Sequence, residues 1–323
     1  MRLYKAAATT VKATESTLNG SVLVTVAPAA AAKFSLSAAS TTPAAGAEDN
    51  LTTTAQDTYG NTATAFTGSH SVVFSGASNS PGGNVPTVDN AAGAPVPFGT
   101  ETPLTFTAGV AVGAASANGA MVLYKSGSTT VKVTEGALTG TAAAVTVAPG
   151  AAAKFSLSAA STTPVVGVAD NLTTTAQDTY GNTATTYTGA HSLTFSGASS
   201  SPAGTAPTVA DSGGTAVNFG TATSLTFTTG VATVASSKNG VLKLSKSGAT
   251  TVSATDGTIS TATGLALTAS AAAAARWAFT NVALSAGSAG SPCLFTCTVT
   301  GVRAATAEEV THGHPHGEHG HHH

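Results

Sequence analysis

The chain has 323 residues, a length that allows two or three domains. Charged residues make up 8% and aromatic ones 5%, against a usual charged share of about 25%. Twelve basic and 14 acidic residues, spread thinly for a net charge of −2, leave no basic patch for a nucleic acid or an anionic membrane. From the start, Met1-Arg2-Leu3-Tyr4-Lys5 has the basic residues of a signal peptide but no apolar run behind it, so an export signal is expected outside this chain or not at all. The apolar run from Val22 to Ala32 is broken by Thr25 and Pro28 and falls short of the roughly 20 residues of a membrane span.

Self-similarity organises the rest. AAAKFSLSAASTTP at 30 to 43 returns unchanged at 151 to 164, and DNLTTTAQDTYGNTAT at 49 to 64 returns at 170 to 185, an offset of 121 residues. The opening segment, 4 to 28, matches 124 to 149 with one residue missing. Near the other end, the alanines before Arg276-Trp277-Ala278-Phe279 parallel Ala151 to Leu157, and similarity fades after Ser291. The expected divisions are 1–28, the closing part of a repeat; 29–149 and 150–270, two whole repeats; 271–311, the diverged opening of another; and 312–323, a His-rich tail. This is the pattern of a window cut from a longer array.

Within a repeat, apolar residues alternate over short runs: Phe34 and Leu36, Val72 and Phe74, Leu104 and Phe106, Val131 and Val133, Val145 and Val147. That is the period of half-buried strands. Tyr59-Gly60-Asn61, Asn118-Gly119 and the whole stretch from Gly76 to Pro97 read as turns or loops. No helical period is sustained. Seven or eight strands in about 120 residues predict an all-β fold of tandem immunoglobulin-like antiparallel sandwiches.

Asp57-Thr58-Tyr59-Gly60-Asn61, the Thr-rich strand ending in Phe66-Thr67-Gly68, a late Gly-Val-Ala and a closing Thr-Val-x-Val-Thr-Glu-Gly together resemble the bacterial immunoglobulin-like repeats of invasin and intimin-type surface proteins. The resemblance covers both whole repeats and part of the broken ones. It implies an extracellular or cell-surface stalk or spacer, with a host or cell-wall ligand bound elsewhere in the array.

Asp57 and Asn61, like Asp178 and Asn182, bracket a Tyr-Gly pair, with Gly60 supplying a positive backbone angle. The expectation is turn chemistry. The competing reading makes these oxygens calcium ligands at a domain junction, which requires six to eight oxygens where only Glu48 and Asp49 could assist. His70 and His191 sit beside serines but lack the spacing of any standard hydrolase, and are expected to be exposed at the start of a strand. Cys293 and Cys297 are the two cysteines. On one strand they would lie roughly 13 Å apart, so they form a disulfide with each other only in a bent segment, and otherwise bond elsewhere or stay free. In the tail, His312, His314, His316, His319, His321, His322 and His323 are candidate ligands for zinc, copper or nickel, by function or as an expression scar or shifted frame. No cofactor is required.

The reading is a non-enzymatic extracellular stalk or spacer whose partners are neighbouring repeats or other copies of itself. The alternatives are a self-assembling filament subunit, its incomplete ends completed between molecules, and the accessory region of an exported hydrolase.

Overall fold

A computed structural model describes residues 1–273 in full and, as backbone only, four short strands beyond them. Among the described residues there is no helix. The first hairpin is β1 (Ala8–Glu15) with β2 (Leu18–Thr25), in full antiparallel register from Ala8 opposite Thr25 to Glu15 opposite Leu18. Its apolar side chains Leu18, Val22 and Leu23 are exposed.

The first repeat then supplies β3 (Lys33–Ala38), β4 (Glu48–Gln56), β5 (Gly68–Ser75), β6 (Thr87–Asp89), β7 (Pro95–Pro97), β8 (Glu101–Phe106), β9 (Val110–Val112), β10 (Ala120–Val122), β11 (Gly127–Glu135), β12 (Leu138–Thr141) and β13 (Ala143–Val147). One sheet runs β7-β6-β10-β4-β3, with β9 also on β4, and the other runs β12-β11-β5-β8, with β13 also on β11. They are sewn together where β12 pairs in parallel with β3, Gly140 opposite Phe34. All other named ladders of this repeat are antiparallel. Alternation does the rest. Phe34 and Leu36 face Phe74, Val72, Leu104, Phe106, Val131 and Val133 across one core, and the Phe34 and Phe106 rings meet at 6.1 Å. Each such side chain contributes about 1.5–3 kcal/mol over an exposed one.

The second repeat repeats the plan with β14 (Lys154–Ala159), β15 (Asp170–Gln177), β16 (Gly189–Ser196), β17 (Thr208–Ala210), β18 (Ala216–Asn218), β19 (Ala222–Phe227), β20 (Val231–Ala232), β21 (Val241–Lys243), β22 (Gly248–Thr255) and β23 (Leu265–Ala269). Here the sheets are separate: β14-β15-β21-β17-β18 and β19-β16-β22-β23. Beyond it, β24 (Trp277–Thr280) pairs with β27 (Gly301–Ala304), and β25 (Ala283–Leu284) with β26 (Cys297–Thr298).

The structure corrects the sequence reading of one loop. The stretch from Gly76 to Pro97 is not all loop, because Thr87 to Asp89 pairs with Pro95 to Pro97 as a hairpin. The strands therefore outnumber the seven or eight expected. Pro95 and Pro97 lack the N–H of a ladder donor, and β7 tolerates them because it is the edge of its sheet.

Two compact units divide the described backbone: Met1–Phe155 with Thr175–Thr188 and Thr228–Val231, and Ser156–Thr174 with Gly189–Phe227 and the described residues from Ala232 onward. The loop Asp178 to Asn182 thus belongs to the unit that holds the first repeat.

Candidate functional site

The loop after β4 is built by its own Asp. Asp57 Oδ1 accepts the backbone N–H groups of Tyr59 and Asn61, each at 2.9 Å, and Gly60 closes the turn with a φ of 86°. Asp57 Oδ2 accepts the Ala29 N–H at 3.1 Å and the Asn61 side-chain amide at 2.9 Å. The first of these fastens the segment that leads into the repeat, and the second orients Asn61. Four donors saturate the carboxylate. The Asn61 amide, followed by the three backbone donors, outweighs burial and holds the Asp57 carboxyl at about 2, below its ordinary 3.8.

Asn61 then reaches the preceding segment. Its Oδ1 accepts the Ala6 N–H at 2.9 Å and its Nδ2 donates to the Tyr4 carbonyl at 2.8 Å. The Tyr4 and Tyr59 rings lie 4.9 Å apart, tilted by 52°.

The second copy reproduces this bond for bond. Asp178 accepts from Tyr180 N, Asn182 N, Gly150 N and Asn182 Nδ2 at 2.9, 2.9, 3.0 and 2.8 Å. Asn182 accepts the Ser126 N–H at 2.9 Å and donates to the Tyr124 carbonyl at 2.7 Å. Tyr180 rests on Tyr124 with centroids 5.0 Å apart. Because a whole repeat precedes it, this loop finds more to hold. Gly82 donates its N–H to the Tyr180 carbonyl at 2.8 Å, and a Cβ on Gly46 would collide with the Tyr180 hydroxyl. Each Asp-Thr-Tyr-Gly-Asn loop is a clamp: its Asp ties the connecting segment, and its Asn and Tyr grip the preceding Tyr-Lys segment.

The arrangement supports the turn reading over calcium. Each Asp oxygen faces N–H hydrogens, and the suggested helpers point elsewhere: Glu48 accepts from Ser116, and Asp49 from Ser40 N at 2.9 Å. Among the described residues no group of His, Cys, Asp or Glu could hold a metal ion. Cys293 and the tail histidines His312, His314, His316, His319, His321, His322 and His323 lie outside the described residues. Of Cys297 the backbone alone is described, opposite Leu284.

His70 is not exposed as expected but half-buried. Its ring stacks on Phe66 at 3.7 Å, Nδ1 lies 3.1 Å from Glu135 Oε1, and Nε2 lies 3.3 Å from the Thr67 carbonyl. It is a packing residue with a carboxylate partner. His191 makes the corresponding edge contact with Phe227 at 5.7 Å.

What the sequence reading missed is the receiving half of the clamp. The signal was present in the recurrence of a Tyr-Lys segment ahead of each Asp-Thr-Tyr-Gly-Asn, at 4 and 59 and again at 124 and 180.

No protein-family model and no curated protein matches the chain. Solved structures of similar fold include FdeC, an adhesin of Escherichia coli, at 22% identity and a TM-score of 0.31, covering 78% of this chain and 68% of that one. The Yersinia pseudotuberculosis adhesin InvE shares 18% identity at a TM-score of 0.29, over 72% of this chain and 58% of that one. A glycosyl hydrolase family 2 member from Bacteroides cellulosilyticus shares 14% at 0.28, over 70% of this chain and 23% of that one.

Proposed function

We propose that the chain is a non-enzymatic structural protein of the cell surface or extracellular space, a stalk or spacer of immunoglobulin-like repeats whose partners are its own neighbouring repeats and a host or cell-wall surface. The observation that carries this is the duplicated clamp. A catalytic site needs one copy, whereas a load-transmitting array needs the same fastening at each junction, and both copies make the same six hydrogen bonds to Asp and Asn. The low charge and the Thr and Ser content fit an uncharged, hydrated surface.

The test is a spin-label distance distribution between one site in the first sandwich and one in the second. A spacer gives a single narrow distribution in the full chain. Asn182→Ala, which removes two junction bonds and one orienting bond, broadens it while both sandwiches stay folded. A distribution already broad in the unaltered chain rejects the stalk.

A second reading, a filament subunit, draws on the exposed Leu18, Val22 and Leu23 of the leading hairpin. Filaments that vanish when residues 1–28 are removed would favour it. An accessory role beside an exported hydrolase would instead show as a catalytic domain in the same polypeptide.

A further inference from the structure

The first repeat holds a polar pocket of about 410 Å³, within the range of about 300–1,000 Å³ that small ligands occupy. It opens where β5 leaves its sheet. Pairing of β11 with β5 ends at Lys132 opposite Ser75, whereas pairing with β13 runs on to Gly127 opposite Val147. Gly76, with a φ of 102°, turns the chain away so tightly that an added Cβ would strike the Thr130 carbonyl. From Gly127 to Thr130 the strand thus has a ladder partner on one edge only. Thr146 N donates to the Thr41 carbonyl at 2.8 Å, so Thr146 points away from β11, and Ser128 opposite it points away from β13. The N–H groups of Ser128 and, two residues on, Thr130 face the space that β5 has left.

The lining around that edge is all donors on the charged side: Lys125 and Lys132 with serine and threonine hydroxyls, and no carboxylate. Among the described residues neither lysine has a carboxylate partner. The second repeat makes the same backbone departure, at Gly197 with a φ of 99°, yet its pocket is only about 70 Å³. Ser245, in the place of Tyr124, donates to the Ser199 carbonyl at 3.3 Å and ties the departing loop to the segment before β22. Tyr124 is turned against Tyr180 instead. Ser253 and Ala249 stand where the first repeat has Lys132 and Ser128. The open pocket and the second ammonium group are therefore features of the first repeat and not of the fold.

We propose that this pocket binds one acidic sugar residue, its carboxylate between Lys125 and Lys132 and its ring hydroxyls on the lining hydroxyls and the N–H groups of Ser128 and Thr130. Two ammonium groups with no acid beside them select an anion. Serine and threonine hydroxyls both donate and accept, which matches the hydroxyls of a sugar. A peptide strand fits less well, because Gly76 packs against the Thr130 carbonyl and interrupts the edge that such a strand would pair with. The assignment rests on the surface reading only for the setting in which a polysaccharide is met, and the spin-label distance would stand even if no sugar bound.

The test is amide chemical-shift titration of the full chain with glucuronate, glucose, inorganic sulfate and an Asp-rich peptide. Glucuronate moves the amides of Gly127 to Thr130 and leaves those of Gly248 to Thr251, the same positions of the second repeat, in place. Glucose binds about tenfold more weakly, and Lys132→Ser weakens glucuronate by about tenfold. Lys132 is exposed, and the second repeat folds with Ser253 at that position, so the variant leaves the core intact. Still amides at Gly127 to Thr130 overturn the site, as does an affinity for glucuronate unchanged in Lys132→Ser. Sulfate bound as tightly as glucuronate makes it an anion site only, glucose bound as tightly removes the role of the acid, and tighter binding of the peptide assigns it to a protein partner. Each of these overturns the acidic sugar.

Discussion

Asp57 and Asp49, eight residues apart on one strand and its following turn, titrate in opposite directions. Burial pushes the Asp49 carboxyl above its ordinary value, against three weaker backbone hydrogen bonds, and its Oδ2 lacks a hydrogen-bond partner. Asp57 sits at about 2, held chiefly by the Asn61 amide. A depressed carboxyl contributes stability that is complete above its unfolded value near 3.8 and is lost as the pH falls through about 2. A raised one acts in reverse, weakening the fold at neutral pH and ceasing to do so on protonation. Asn61→Ala removes the largest cause of the Asp57 depression. The carboxyl should then titrate closer to 3.8, and the Tm difference between the variant and the unaltered chain should be fully open above pH 5 and narrow as the pH falls through about 2, toward the part owed to the bonds from Asn61 to Ala6 and Tyr4, which do not titrate. Carboxyl carbon-13 titration and melting curves across that range check it. An Asp57 value unchanged by the substitution would mean that backbone N–H groups alone hold the turn. The Asp-x-Tyr-Gly-Asn turn was legible from residue types and spacing. The partners of Asn61 were not, because they lie 55 and 57 residues away and are backbone atoms, to which side-chain identity gives no clue.

Strands with strict alternation were the legible elements. Phe34 and Leu36, or Val131 and Val133, place one face in the core whatever the rest of the repeat does. The hairpin of β6 and β7 was not legible, since Asn, Gly and Pro dominate its surroundings and only Val88 is fully buried. The parallel pairing of β12 with β3 was equally hidden: it joins residues more than 100 apart through backbone alone. His70 was misread because its neighbours in sequence are polar, while its contacts, Phe66, Phe106 and Glu135, come from the loop before it and from β8 and β11. At this scale the informative substitution is Gly46→Ala. Gly46 has a φ of 77°, and an added methyl would strike the Tyr180 ring and hydroxyl. Two penalties add, a left-handed backbone without glycine and a displaced ring, for a loss of about 1–3 kcal/mol. Gly167 has the same φ of 77°, but among the described residues nothing lies within 4 Å of an added methyl. Gly167→Ala should lose only the backbone part, about 1 kcal/mol. Denaturant melts of the two variants separate the contributions. Equal losses would mean that Tyr180 yields its seat without penalty.

For the whole molecule, the division into two compact units assigns the loop Asp178 to Asn182 to the unit of the first repeat, although its sequence belongs to the second. The repeat boundary in sequence and the division into compact units therefore differ, because each clamp is encoded in one repeat and bonded to the segment before it. Each Asp of the clamp is saturated by four N–H donors. The His-rich tail is a separate matter of composition, and we propose that its seven imidazoles, set among Gly, Pro and Glu318, are ligands for zinc, copper or nickel. Affinity and stability should therefore part company. The full chain should be retained on immobilised nickel, and titration with zinc should give a binding heat that disappears when residues 312–323 are removed. A chelator should leave the melting temperature of the sandwiches unchanged, because ligand binding raises stability only where the ion is held by the folded state and not by the unfolded one. Imidazoles that bind an ion without a folded partner bind it alike in both states. A melting temperature lowered by several degrees on chelation would place the ion in contact with folded structure and make the tail part of the assembly.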